Sequence, residues 1–362
     1  MTILLPSSRS LSTRWRQPAP FPRLANELVH LILNFAAASS IETCLALTLV
    51  AAWTRELALP HLFSTVTFKS ASALSHFRLA RRPPALSPSS SFSPSSSFST
   101  STAACPLLVH NIWAVSSEFG AAPGPESARA AYDLLALLFE CPNLARLAVA
   151  DWFLAWLVSY VRHDSPKSAG RALACALQTQ GRRQWDLTIA GQSMESGVHY
   201  SSWMTLPAAM SPVFDVVTRL RLNAARGTKA IPGVLRMFPG LTHLMATLKC
   251  DGVRDLDLAR IEADIQLHGS GDFECLVLAV EDRRVLSDSV FVDWFRGVRK
   301  TDSRIYLDFS RGLNAEDWEY TVRGAEDVWE RNIRENRERD MRTGKGEFSV
   351  VSRSQTQIPN KK

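Results

Sequence analysis

No two cysteines in this chain stand close together. The six, at positions 44, 105, 141, 175, 250 and 275, are scattered, and the nearest pair, Cys250 and Cys275, is 25 positions apart. A structural zinc site draws on close Cys or Cys/His pairs, so this spacing argues against one. Cys44, Cys141, Cys175 and Cys275 sit among apolar neighbours and are expected as buried, reduced thiols. That usage points to a reducing compartment, the cytoplasm or the nucleus.

Signatures of catalysis are equally sparse. The eight histidines include no pair at i,i+3 or i,i+4. There is no phosphate loop, no dinucleotide G-x-G-x-x-G and no H-E-x-x-H. Gly191-Gln-Ser193-Met-Glu195 begins like a nucleophile elbow, but Glu195 stands where the second glycine is needed, which removes Ser193 as a nucleophile. The acids Asp251, Asp255, Asp257, Glu262 and Asp264 lack the spacing and the glycine of a calcium loop. Asp255-Leu-Asp257 does match the D-x-D of metal-dependent sugar transferases. A three-residue pattern arises often by chance, and a solvated loop leading into a helix N-terminus, where the dipole favours acids, is the preferred explanation. No catalytic residue, metal or cofactor is assigned, and the chain reads as a non-enzyme.

Long apolar runs are also missing. The richest stretch, Leu28–Trp53, is interrupted by His30, Asn34 and Glu42, so no membrane span is expected. Acid is absent from the first 26 residues, which carry Arg9, Arg14, Arg16 and Arg23. Pro18, Pro20 and Pro22 would break the amphipathic helix of a transit peptide, and residues 1–21 are expected to form a disordered leader. The net charge of +6 comes from dispersed arginines with no basic stripe interleaved with aromatics, so nucleic acid is not an expected partner.

What is present is a succession of short periodic segments. Leu24, Leu28, Leu31, Ile32 and Phe35 share one helical face. Ser39 with Glu42 forms a capping box opening a second helix that carries Ile41, Leu45 and Leu49. A third helix is predicted over 52–59, stopped by Pro60, and 63–68 alternates as a strand does. Residues 22–65 thus form a small helical module. A serine-rich segment, 83–104, contains SPSSSF twice in tandem and is predicted to be a disordered loop. Ser87 and Ser93, each followed by proline, are its candidate phosphorylation sites, although an inert expanded repeat explains the same composition.

Beyond it, strands are predicted over 107–115, 144–150, 184–190, 217–223, 241–248, 273–280 and 304–309. Helices fall between them over 128–140, 169–178, 234–238 and 288–299. Several units share an aromatic or Cys-Pro turn before alternating leucines, as in Phe139-Glu-Cys-Pro-Asn-Leu144 and Phe238-Pro-Gly-Leu241. One such unit cannot cover its own apolar face, but stacked neighbours can, so residues 66–313 are expected to form an irregular α/β repeat array. Trp152 and Trp156 are candidates for an aromatic patch, with core packing the default. Trp318, Val322, Ala325, Trp329 and Ile333 make a stripe over 314–340, predicted as one capping helix opened by Asn314 and docked on the final strand. Residues 341–362 are polar and basic, and are expected to be a disordered tail.

The segment Leu24-Ala-Asn-Glu27-Leu28-Val-His-Leu-Ile32-Leu33 resembles the opening of the F-box motif, in which Leu-Pro-x-Glu-Leu is followed by an Ile-Leu pair. Leu45, Leu49-Val50, Trp53, Leu57-Ala58 and Leu62-Phe63 fall near the spacing of that family's later Val-Cys-x-x-Trp and Leu-Trp segments. Ala25 replaces the usual proline and Ala51 the frequent cysteine. The resemblance implies a module that docks on the adaptor subunit of a cullin-type ubiquitin ligase, followed by leucine-rich repeats that recruit an unknown target protein. Leu24, Glu27, Leu28, Ile32 and Leu33 would then start the adaptor-facing helix, with Leu57 and Leu62 later on the same surface. The expected fold class is therefore α/β: a three-helix F-box-like module and an irregular leucine-rich-repeat-like solenoid. The alternatives are a repeat scaffold unconnected with ubiquitin, its N-terminal helices serving only as a cap, and a metal-dependent transferase using Asp255 and Asp257.

Overall fold

The computed structural model describes residues 24–81, 105–115, 125–154, 156–157, 184–190, 212–223, 231–248, 258–268, 272–280, 285, 288–308, 315–323 and 327–342. The chain divides into two compact units, Met1–Leu59 and Pro60–Lys362.

The first unit is helical. Its helices are α1 (Asn26–Ser39), α2 (Ile41–Val50) and the start of α3 (Ala52–Ser64). The N-cap of α2 is Ser40, not Ser39: the Thr43 amide donates to Ser40 Oγ at 3.1 Å, while the Ser39 hydroxyl turns back to the Ala36 carbonyl. Extended backbone at Ser40 aims its side chain at the first free amides, which is the geometry an N-cap needs. Pro60 does not stop α3. The helix runs one more turn, to Ser64, with Leu62 and Phe63 half-buried in that turn. Packing there outweighs the one hydrogen bond that proline removes.

The second unit is built on one open, fully parallel sheet whose eight strands lie side by side in chain order. They are β1 (Thr65–Thr67), β2 (Asn111–Ala114), β3 (Arg146–Ala150), β4 (Trp185–Ala190), β5 (Val217–Asn223), β6 (His243–Leu248), β7 (Cys275–Val280) and β8 (Ile305–Asp308). Each coincides with a predicted strand, β5 in full and the others trimmed at the ends. The largest trim is at β2, where Cys105–Leu108 is a helical turn, α5. Between strands lie α4 (Ala71–Arg81), α6 (Pro125–Glu140), α7 (Pro212–Val216), α8 (Ile231–Met237), α9 (Leu258–His268) and α10 (Ser289–Thr301). The helix expected over 169–178 lies outside the described residues, as do the leader, the serine-rich loop with Ser87 and Ser93, and the tail beyond Arg342.

The recurring turn has a hydrogen-bonded basis. In one copy the Cys141 amide bonds the Leu137 carbonyl and the Leu144 amide the Cys141 carbonyl. In another, Phe238 bonds Val234 and Leu241 bonds Phe238 in the same pattern. Each closes a helix and delivers the chain into a strand. Alternation then sorts the side chains. Ile112, Leu147, Leu187, Leu220, Leu244, Leu276 and Ile305 all enter one core under α4–α10, where Trp152 and Trp156 also pack. In β5 the apolar positions are Val217, Leu220 and Leu222, a break in strict alternation. A register shift opposite Trp185/Asp186 absorbs the extra residue, so all three still face the core.

The segment predicted as a single capping helix over 314–340 is two helices, α11 (Ala315–Val322) and α12 (Val328–Arg342). They cover the opposite face of the sheet at separate places. Trp318 of α11 packs on Trp113 and Ala148, whereas Val328 and Trp329 of α12 pack on Met245, Cys275, Val277 and Tyr306. Asn314 lies outside the described residues.

Candidate interaction surfaces

In the N-terminal unit the usual placement of large and small side chains is inverted. The buried positions are Ala37, Cys44, Thr54 and Ala58, all small. Cys44 Sγ donates to the Ala58 carbonyl at 3.1 Å, and Thr54 Oγ1 accepts from the Ala51 amide at 3.0 Å, so the small interior is also hydrogen-bonded. The large apolar side chains point out. On α1, Leu28, Leu31, Ile32 and Phe35 follow one another at helical spacing and are 48%, 51%, 54% and 69% exposed. Ile41, Leu45 and Leu49 repeat the arrangement on α2, and Trp53 of α3 lies 5.2 Å from His30. A contiguous apolar helical surface of this kind is a mark of a protein-binding face.

The sequence-predicted residues distribute over it unevenly. Glu27, Leu28 and Ile32 are exposed on α1 and Leu33 is half-buried. Leu24 is exposed but precedes the helix, because Ala25 is the N-cap of α1. Leu57 is half-buried on α3, and Leu62, also half-buried, falls in the second unit.

A second surface was not anticipated from the sequence. The sheet face beneath α11 and α12 carries a polar strip. Register places Arg146, Asp186, Arg219 and His243 in one row across β3 to β6, with Thr188 and Arg221 in the next. Arg221 donates from Nη2 to Asp186 Oδ2 at 2.9 Å, and Arg219 donates from Nη1 to Asp327 Oδ2 at 2.7 Å. Trp329 lies against both Arg221, 5.4 Å from its ring centroid, and His243, at 5.2 Å. Burial holds the His243 imidazole below its ordinary pKa of 6.5; the Arg219 charge lowers it further, and Glu274, Asp327 and Asp186 oppose. Beside it the Cys275 thiol is pushed up to about 12 by burial and by the Glu274 charge. Further along, Asn332 donates to Asp308 and Asn336 to the Leu307 carbonyl, fixing α12 to the last strand. Only part of this strip shows in the sequence: polar residues occupy alternate positions in Asp186-Leu-Thr188 and Arg219-Leu-Arg221-Leu-Asn223.

Of the acids weighed as metal ligands, Asp251, Asp255 and Asp257 lie outside the described residues, as does Ser193. Among the described residues no group of His, Cys, Asp and Glu could hold a metal ion, and no helix is long and apolar enough to cross a membrane. Comparison with protein-family models, curated proteins and solved structures returns no match.

Proposed function

We propose that this chain is an F-box-type substrate-recognition subunit of a cullin ubiquitin ligase. The observation that carries the reading is the outward-facing row Leu28, Leu31, Ile32 and Phe35, set over an interior of Ala37, Cys44, Thr54 and Ala58. Covering the exposed half of such side chains contributes roughly 0.7–2 kcal/mol each before the costs of association, so a partner that covers them is favoured. The adaptor subunit is the partner, met by α1 and α2. The motif resemblance at Leu24–Leu33 supports the same assignment.

The second unit recruits the target protein. Parallel strands in chain order, each reached through a returning connection, are the arrangement expected of irregular leucine-rich repeats. The mechanism involves no bond-making by this chain. Two docking surfaces on one polypeptide hold a target near the ligase and raise its effective concentration there. Such work belongs to the cytoplasm or the nucleus.

Affinity purification of the full chain from its native cell, read by mass spectrometry, tests this. Recovery of an adaptor and a cullin in stoichiometric amounts is the expected result. Recovery of other proteins with no ligase component would refute the assignment and leave a repeat scaffold.

A further inference from the structure

The last strand of the sheet, β8, stands at an edge, and an edge strand is a template for pairing with another chain. Its pairing with β7 fixes which backbone groups face outward. The Leu276 amide donates to the Arg304 carbonyl at 2.9 Å, so that carbonyl points toward β7. Successive carbonyls of a strand point to opposite sides. Those of Ile305 and Leu307 therefore point away from the sheet and are the acceptors that an added strand would use.

Both acceptors are already taken, by side chains. Arg299 of α10 donates from Nη1 to the Ile305 carbonyl at 2.6 Å and to the Ser303 carbonyl at 2.5 Å. Asn336 of α12 donates from Nδ2 to the Leu307 carbonyl at 3.1 Å, and a further bond to the Asn332 carbonyl, at 2.8 Å, fixes its aim. The two helices lie on opposite faces of the sheet, α10 with Phe291, Phe295 and Val298 in the main core and α12 over Tyr306. Each face thus sends one side chain to the rim. The Arg299 guanidinium carbon lies 4.6 Å from the centre of the Tyr306 ring, so this side chain reaches round the edge toward the α12 side. A charge-assisted hydrogen bond is roughly twice as strong as a neutral one. An incoming strand would have to displace it and leave a guanidinium beside its own backbone.

We propose that Arg299 and Asn336 are edge guards, which keep β8 from pairing with β8 of a second copy of this chain. Two identical edges meeting antiparallel about a two-fold axis would satisfy the same outward groups on both chains, and such a contact is closed. The inference stands apart from the N-terminal surface and from the ligase reading.

Sedimentation velocity and amide exchange of the full chain at rising concentration test it together. The double variant Arg299→Met with Asn336→Leu keeps the bulk at both positions and removes both donors. It is expected to shift toward the sedimentation coefficient of a dimer as concentration rises, with exchange slowing at the Ile305 and Leu307 amides, which share the outward side. In the parent those two amides are expected to exchange at a rate independent of concentration. Arg299→Lys retains a donor and should behave as the parent does. Asn332→Leu removes the bond from α12 to Asp308 but leaves both carbonyls covered, so it too should match the parent. If the double variant does not fold, Arg299→Met and Asn336→Leu singly decide by the same two readouts. A folded variant with no concentration-dependent protection at Ile305 and Leu307 would overturn the proposal, as would such protection in the parent. Equal association by Asn332→Leu would also overturn it, by showing that a loosened α12 drives the contact rather than an uncovered edge.

Discussion

Cys275 illustrates how completely side-chain chemistry is suppressed inside this sheet. Its thiol, pushed up to about 12, carries almost no thiolate at neutral pH, and thiolate is the reactive form. Cys44 and Cys141 are likewise buried and not disulfide-bonded. In the native protein all three are expected to resist a thiol-specific reagent over hours and to react within minutes in denaturant. Rapid native labelling at Cys275, located by peptide mapping, would contradict the packing of α12 over β7. His243 gives a pH test. Its folded pKa lies below the unfolded value of 6.5, so the unfolded chain binds the proton more readily. The stability linked to it is therefore present above pH 6.5 and is lost as pH falls from 6.5 through the lowered value. Urea midpoints for the parent should drop between pH 7.5 and pH 5.5, and His243→Asn should flatten that drop. An equal slope in the two proteins would show that His243 is not the group responsible.

At the scale of elements, local signals and tertiary packing can be weighed against each other. Asp288 caps α10 by accepting from the Phe291 amide at 3.1 Å, and the buried Phe291, Phe295 and Val298 fix that helix on the core. Removing the cap with Asp288→Ala is expected to cost about 1 kcal/mol in urea unfolding, a loss typical of a side-chain cap. No measurable change would mean that packing alone sets the helix start. All eight strands were legible because β-branched and leucine-rich alternation in a parallel sheet is a strong signal, and so was the α10 boundary at Asp288. Less legible were the ends that depend on tertiary contacts. Pro60 reads as a terminator, yet α3 continues past it. The tryptophan stripe from Trp318 to Trp329 reads as one helix, but the two rings seek separate seats, Trp113 and Tyr306, and the helix divides between them. Ser39 reads as the cap because Glu42 stands three residues on, and only backbone geometry selects Ser40.

For the molecule as a whole, the two candidate surfaces differ in how the sequence discloses them. The helical face of α1 is visible as spacing, but spacing alone does not say whether a leucine stripe faces its own core or water. Here the small residues Ala37, Cys44 and Ala58 take the interior, and Leu28, Ile32 and Phe35 are left outside. The polar strip was missed for the opposite reason. Its members, from Arg146 to Asp327, are far apart in the chain and meet only through sheet register and the return of the C-terminal segment. The central claim is that the exposed face of α1 exists to bind the adaptor of a cullin ligase. Titration calorimetry of purified adaptor into the full chain, beside the double variant Leu28→Asp with Ile32→Asp, addresses it most directly, with circular dichroism as the control for folding. The account predicts 1:1 binding by the parent and at least a hundredfold weaker binding, about 2.7 kcal/mol, by a variant of unchanged helicity. Equal binding by both proteins, or none by the parent, would contradict it.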